Sequence, residues 1–162
     1  MRWRRWLKEG VVTLLMVWGV SVALNWYRSP KEAPQTLPHA TLKLLDGKQY
    51  TLKKGKPVLV HFWATWCRVC KAEAQNIERL SKEVEVVTIV VGDEPKAAIQ
   101  AYMQKHHLSF RVYHDKNGVW AKRYGVRLFP TTFIYAADGS LAFSEVGYTT
   151  TAGLLARVKL LP

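Results

Sequence analysis

Trp63-Ala64-Thr65-Trp66-Cys67-Arg68-Val69-Cys70 holds the only two cysteines of the chain, three positions apart. The apolar run before it, Val58-Leu59-Val60-His61-Phe62, has the character of a buried strand. After it, Cys70, Ala74, Ile77, Leu80 and Val84 recur at helical spacing and share one face. A strand therefore hands over to a helix, with Cys67 at or just before the helix N-terminus. A thiolate at that address faces unpaired backbone N–H groups and the positive end of the helix dipole, which lowers its pKa. Cys70, one turn further on, is near enough to close a disulfide with Cys67.

Three other readings of the pair compete. A zinc site needs about four ligands, but there is no second cysteine pair, and His39, His61, His106, His107 and His114 lack finger-like spacing. A structural staple is weak, because closing so short a loop contributes only roughly 2 kcal/mol in the chain-entropy picture. Two unrelated buried cysteines are the third. A redox dithiol is the favoured reading, since the strand-to-helix address supplies the chemistry it needs.

From Gly55 to Cys67 the chain resembles the active-site approach of thioredoxin-fold proteins. The resemblance is strongest to the membrane-anchored, TlpA-like periplasmic branch that includes the cytochrome-c-maturation thioredoxins. Glu73, three residues after Cys70, matches an acid of that branch, and Phe129-Pro130-Thr131-Thr132-Phe133 matches the cis-proline segment of the fold. Val69 is similar to the suppressor-of-copper-sensitivity protein D group. The likeness covers roughly residues 37 to 161. It implies a thioredoxin-like three-layer α/β sandwich with a mixed central sheet. It also implies thiol–disulfide exchange with partner proteins, and no nucleotide, flavin or metal beyond the redox-active pair. Cys67 would be the nucleophile and Cys70 the resolving thiol. Trp66, Arg68, Phe129, Pro130 and Thr131 would form the substrate groove. Its electrons would come from a membrane dithiol donor, as the branch implies.

Two residues are candidate proton handlers. His61 stands where thioredoxins carry a buried acid, and Glu73 follows its own branch; a histidine or a carboxylate can take the Cys70 proton. The plainer alternatives are a satisfied core histidine and a solvated helix residue. Arg68 places a guanidinium beside the nucleophile, where a small residue or proline is usual. Its cation favours the thiolate.

The 162 residues suit one domain plus an appendage. Net charge is +12. No nucleic-acid motif accompanies it, so anionic lipid or acidic partners are the better match. Residues 1–28 are expected to be a membrane anchor. Gly10 to Tyr27 carries no charge and would span about 27 Å as a helix, enough for a bilayer core. Trp3, Trp6, Trp26 and Tyr27 bracket it as interfacial aromatics. Arginines crowd the N-terminal side, which predicts a single pass with the N-terminus cytoplasmic and the domain in the periplasm of a bacterial inner membrane. The alternative is a cleaved signal peptide ending near Ser21-Val22-Ala23.

Residues 29–38, with Pro30, Pro34 and Pro38, read as a linker holding the domain off the membrane. Residues 39–162 are the thioredoxin-like domain. Within it, Asp46-Gly47 marks a hairpin and Val86–Val91 a second apolar strand. Asp93-Glu94-Pro95 starts a helix that ends near His106, Phe110 to Tyr113 is a strand, and Asp115 to Gly118 is a turn. Val119, Trp120 and Tyr124 form a short packed helix. Thr131–Tyr135 and Leu141–Val146 make a hairpin, and a threonine-capped helix carries Leu154, Leu155, Val158 and Leu161. The rival function is Cu(I) handling for copper tolerance, since two thiolates suit that soft ion.

Overall fold

The computed structural model describes residues 2–161. After a long helix α1 (Arg2–Arg28) the domain runs β1 (Ala40–Lys43), β2 (Gln49–Leu52), β3 (Val58–Trp63), α2 (Arg68–Leu80), β4 (Glu85–Val91) and α3 (Lys96–Lys105). Then follow β5 (Arg111–Asp115), α4 (Val119–Arg123), β6 (Thr131–Tyr135), β7 (Leu141–Val146) and α5 (Thr151–Lys159). α1 is long and apolar enough to cross a membrane over Trp6–Arg28, and none of its apolar window is buried by protein.

Five strands form the central sheet in the order β5-β4-β3-β6-β7. β3, β4 and β5 are parallel, while β6 and β7 run antiparallel to their neighbours. β3 is buried along its whole length, as a central strand covered on both faces must be. Strand alternation sends Leu59 and Trp63 to one face, against Ile77 and Leu80 of α2, Ile99 of α3 and Leu154 of α5. Val58, Val60 and Phe62 go to the other face, against Trp120 and Tyr124 and the β1–β2 hairpin. The result is the three-layer mixed-sheet sandwich that the resemblance implies.

Several boundaries differ from the sequence reading. α2 stops at Leu80; Val84 lies beyond it in a turn, where the N–H groups of Glu83 and Val84 both bond the Leu80 carbonyl. The chain must reverse there to start β4. Pro95 occupies the N-cap of α3 rather than its first turn. Asp115 belongs to β5 and is buried, because its Oδ2 accepts the Ala121 N–H and so caps α4. Val119 is exposed, leaving Trp120 and Tyr124 as the packed side of that helix.

The proline-rich stretch is also more than a spacer. Ala33 and Leu37 are buried against the β1–β2 side of the sheet. The Leu37 N–H donates to the Gly139 carbonyl, the Leu141 N–H to the Gln35 carbonyl, and Thr36 bridges Ser140. Its second half is packed onto the domain by apolar burial and by backbone pairing.

Candidate active site

Cys67 is the N-cap of α2, with extended backbone angles (φ −75°, ψ 115°). It is disulfide-bonded to Cys70, with 5.3 Å between the two Cα atoms. The Cys70 N–H donates to Cys67 Sγ at 3.1 Å. The sulfur therefore does what an N-cap oxygen normally does, taking up one of the orphan donors of the first turn. The same hydrogen bond and the helix end stabilise negative charge on Sγ once the disulfide is reduced. Both cysteines are buried, Cys67 slightly less so (7% against 3% exposed).

The second wall is the loop before β6. The Phe129–Pro130 peptide bond is cis. The Phe129 carbonyl oxygen lies 3.6 Å from Cys67 Sγ, a contact that becomes a thiol–carbonyl hydrogen bond when Cys67 is protonated. The rings of Trp66 and Phe129 meet edge to face at 5.8 Å. Trp66 and Val69 beside the cysteines, Leu128 before Phe129, and Tyr148 after β7 are exposed apolar or aromatic side chains on the segments that build the site. Arg68 is exposed on the first turn of α2. Pro130 is buried. Thr131 is also buried, and its hydroxyl donates to the Leu128 carbonyl, bracing the loop from inside.

The two candidate proton handlers turn out differently. His61 sits on the Trp63 side of β3 and is buried, with Nδ1 2.9 Å from the Thr132 hydroxyl. Burial holds its pKa down at about 3, so the ring stays neutral. Glu73 is fully buried one turn after Cys70. Its Oε1 accepts the Thr149 N–H at 2.9 Å, while Oε2 has no partner. Burial pushes its pKa up to about 8, against the smaller opposing pull of that N–H. The plain reading of Glu73 as a solvated helix residue is thus replaced by a buried, protonated carboxyl.

A further contact escaped the sequence. Thr65 donates its hydroxyl to Glu94 Oε1 at 2.5 Å, tying the β4–α3 loop to the residue two before Cys67. Glu94 folds over Gly92, where any Cβ would collide with its carboxylate. The signal was present only as Gly92 beside an acid, which reads equally well as a turn. Among the described residues no group of three or more His, Cys, Asp or Glu is placed to hold a metal ion.

Known proteins share this architecture. A family model described as Redoxin matches residues 32–157. The thioredoxin-like protein YneN of Bacillus subtilis is 32% identical over 159 residues, covering 91% of this chain and 92% of its own. The thiol-disulfide oxidoreductase ResA of Bacillus thuringiensis is 31% identical over 152 residues, covering 87% of each chain. Among solved structures, a secreted Mycobacterium tuberculosis disulfide oxidoreductase homologous to E. coli DsbE superposes with TM-score 0.65 at 27% identity, over 76% of this chain and 96% of its own. A thioredoxin-family thiol:disulfide interchange protein of Chlorobium tepidum reaches TM-score 0.70 at 25% identity, over 79% and 96%. With its Cys67–Cys70 pair at the head of a helix in this fold, the chain belongs to the Redoxin family and is a thioredoxin-like thiol-disulfide oxidoreductase.

Proposed function

We propose that this enzyme is anchored by α1 in a bacterial inner membrane, faces the periplasm, and works as a reductase of protein disulfides. The observation that carries the chemistry is Cys67 Sγ held between the Cys70 N–H and the Phe129 carbonyl. In the reduced enzyme the Cys67 thiolate attacks one sulfur of a partner disulfide. An S–S bond forms to Cys67, and the other partner sulfur leaves as a thiolate. Cys70 then loses its proton and attacks Cys67, which releases the second partner thiolate and closes the Cys67–Cys70 disulfide. Two electrons pass to the partner, and a membrane dithiol donor returns them.

Glu73 is the better proton acceptor for Cys70. A general base works best when its pKa lies near that of the group it serves. With a pKa of about 8, close to a thiol's, Glu73 is mostly protonated at neutral pH and takes the Cys70 proton through its ionised fraction, which grows toward pH 8, whereas His61 at about 3 is too weak a base. His61 instead packs β3 against Thr132. Trp66, Phe129 and the backbone beside Pro130 receive the partner chain, Thr131 braces that backbone, and Arg68 lies beside the nucleophile to tune it or to meet an acidic partner surface.

The test is thiol alkylation in intact cells with a membrane-impermeant maleimide, with and without prior reduction. Labelling of Cys67 without reduction supports a periplasmic reductase. A pair found oxidised at steady state points to an oxidase, and labelling only after lysis places the domain on the other side.

A further inference from the structure

Three polar side chains interrupt the apolar part of α1, and two of them are spent inside the helix. Thr13 and Ser21 donate to the Glu9 and Val17 carbonyls at 2.8 Å. Asn25 reaches out instead. Its Nδ2 donates to the Ser144 carbonyl at 2.9 Å, and its Oδ1 accepts the Val146 N–H at 2.9 Å. Those are the outward groups of β7, the edge strand of the sheet. A carboxamide offers the same donor and acceptor as a peptide group, so Asn25 pairs with the edge as a neighbouring strand would. The Ser29 hydroxyl donates to the Asn25 carbonyl at 2.7 Å and lies 3.2 Å from the Ser144 carbonyl.

The chain then runs back along β7. Asn25 meets Ser144 and Val146, Gln35 meets Leu141, Thr36 meets Ser140, and Leu37 meets Gly139. Numbers rise on one strand as they fall on the other, so the span reaches the domain at the Val146 end of the sheet. That end carries the disulfide. Val146 pairs with Thr131, the Gly147 N–H donates to the Pro130 carbonyl, and the Phe129 carbonyl faces Cys67 Sγ. A groove of about 430 Å³ is lined on one side by Tyr27 and Arg28 at the end of the span and on the other by Leu128 and Thr131 of the loop that walls the active site.

We propose that Asn25 is a docking residue. It locks the catalytic domain onto its own membrane span with the disulfide end turned toward the lipid surface. The exposed Trp66, Val69, Leu128 and Tyr148 then meet a membrane-embedded protein that presents cysteines, rather than a freely diffusing one. The inference rests on the thiol–disulfide exchange described above. An amide at the membrane boundary is costly unless paired, so the lock is favoured where lipid surrounds the helix. Arg28 and Lys31 follow at the same level, where anionic headgroups attract basic side chains.

The experiment uses the reduced full-length protein in phospholipid nanodiscs and two pyridyl disulfides, one carried on a phosphatidylethanolamine headgroup and one soluble. With either probe Cys67 displaces pyridine-2-thione, and Cys70 then releases the remaining probe thiol as the Cys67–Cys70 disulfide closes. Asn25→Leu and Asn25→Ala should slow the lipid-borne reaction about fivefold, the loss expected when a fixed geometry gives way to a loose tether. The soluble reaction should not change. Hydrogen exchange of the Val146 amide should quicken, while exchange at Val60 and Phe133 stays slow and marks a folded domain. Equal rates on the lipid-borne probe in wild type and variants, or unchanged Val146 exchange, overturns the lock. A wild type that fails with the soluble probe overturns the exchange reading itself, and this inference with it.

Discussion

Replacing Glu73 by glutamine should remove a pH dependence of stability that the wild type carries. The carboxyl is fully buried, with its Oε2 unpaired, and titrates at about 8 against an ordinary 4.5. Between those values the native state holds one more proton than the unfolded chain, so stability falls as pH rises. Each pH unit in that window costs about 1.4 kcal/mol, and the whole window costs about 5 kcal/mol at most. That is a large share of the roughly 5–15 kcal/mol that holds a domain together. Glutamine keeps an oxygen for the Thr149 N–H and never ionises. The assay is urea unfolding of the oxidised full-length protein in detergent from pH 5 to pH 8.5, for both proteins. The two should agree within about 1 kcal/mol at pH 5, with the variant ahead by several kcal/mol near pH 8. Groups common to both cancel in the difference. Parallel profiles across that range would refute a buried, protonated Glu73.

Cys70→Ser should accumulate mixed disulfides with partner proteins, while Cys67→Ser should not; equal trapping by both would undo the assignment of nucleophile and resolving thiol. Arg68→Ala should raise the Cys67 pKa by less than about one unit, because the guanidinium is solvent-screened. Thiolate absorbance near 240 nm, followed against pH, reads this, and an unchanged value leaves Arg68 as a partner contact. Leu37→Ala should destabilise the domain by about 2–4 kcal/mol in denaturant melts, as truncation of a buried leucine does. A loss under about 0.5 kcal/mol, typical of surface changes, would return residues 29–38 to the status of a free linker.

The parts of this fold legible in the sequence were those with a local signature. The largely apolar runs of β3 and β4, the helical spacing from Cys70 to Leu80 and the Asp46-Gly47 turn each declared themselves within a few residues. Cys67 and Cys70 were legible for the same reason, since a helix start can be read from its neighbours. What stayed hidden depended on contacts distant in sequence. Glu73 looked like any helix-surface acid until Thr149 and α5 closed over it. Both His61 and Glu73 stood as candidates, with Glu73 slightly ahead, because the burial that pushes one pKa down and the other up is a tertiary fact. Residues 29–38 have a linker's composition, and it is the burial of Ala33 and Leu37 together with pairing to the edge of β7 that makes them part of the domain. Asn25 read as one more residue of a span, because its partners lie more than a hundred positions away.

If α1 anchors the enzyme as proposed, the strand-like course of residues 35–37 beside β7 bears on how copies would share a membrane. Anchored copies diffuse in a plane and collide face to face far more often than the same number in solution. An open sheet edge would then be a template for pairing with a neighbour's edge, and for aggregation. Here both edges are occupied. The Asn25 amide and residues 35–37 cover β7, while at the opposite side Leu44 bridges Tyr113 and the Leu45 N–H bonds the Val112 carbonyl of β5. The segment that, in the proposed arrangement, ties the enzyme to the bilayer would also keep crowded copies from zipping together.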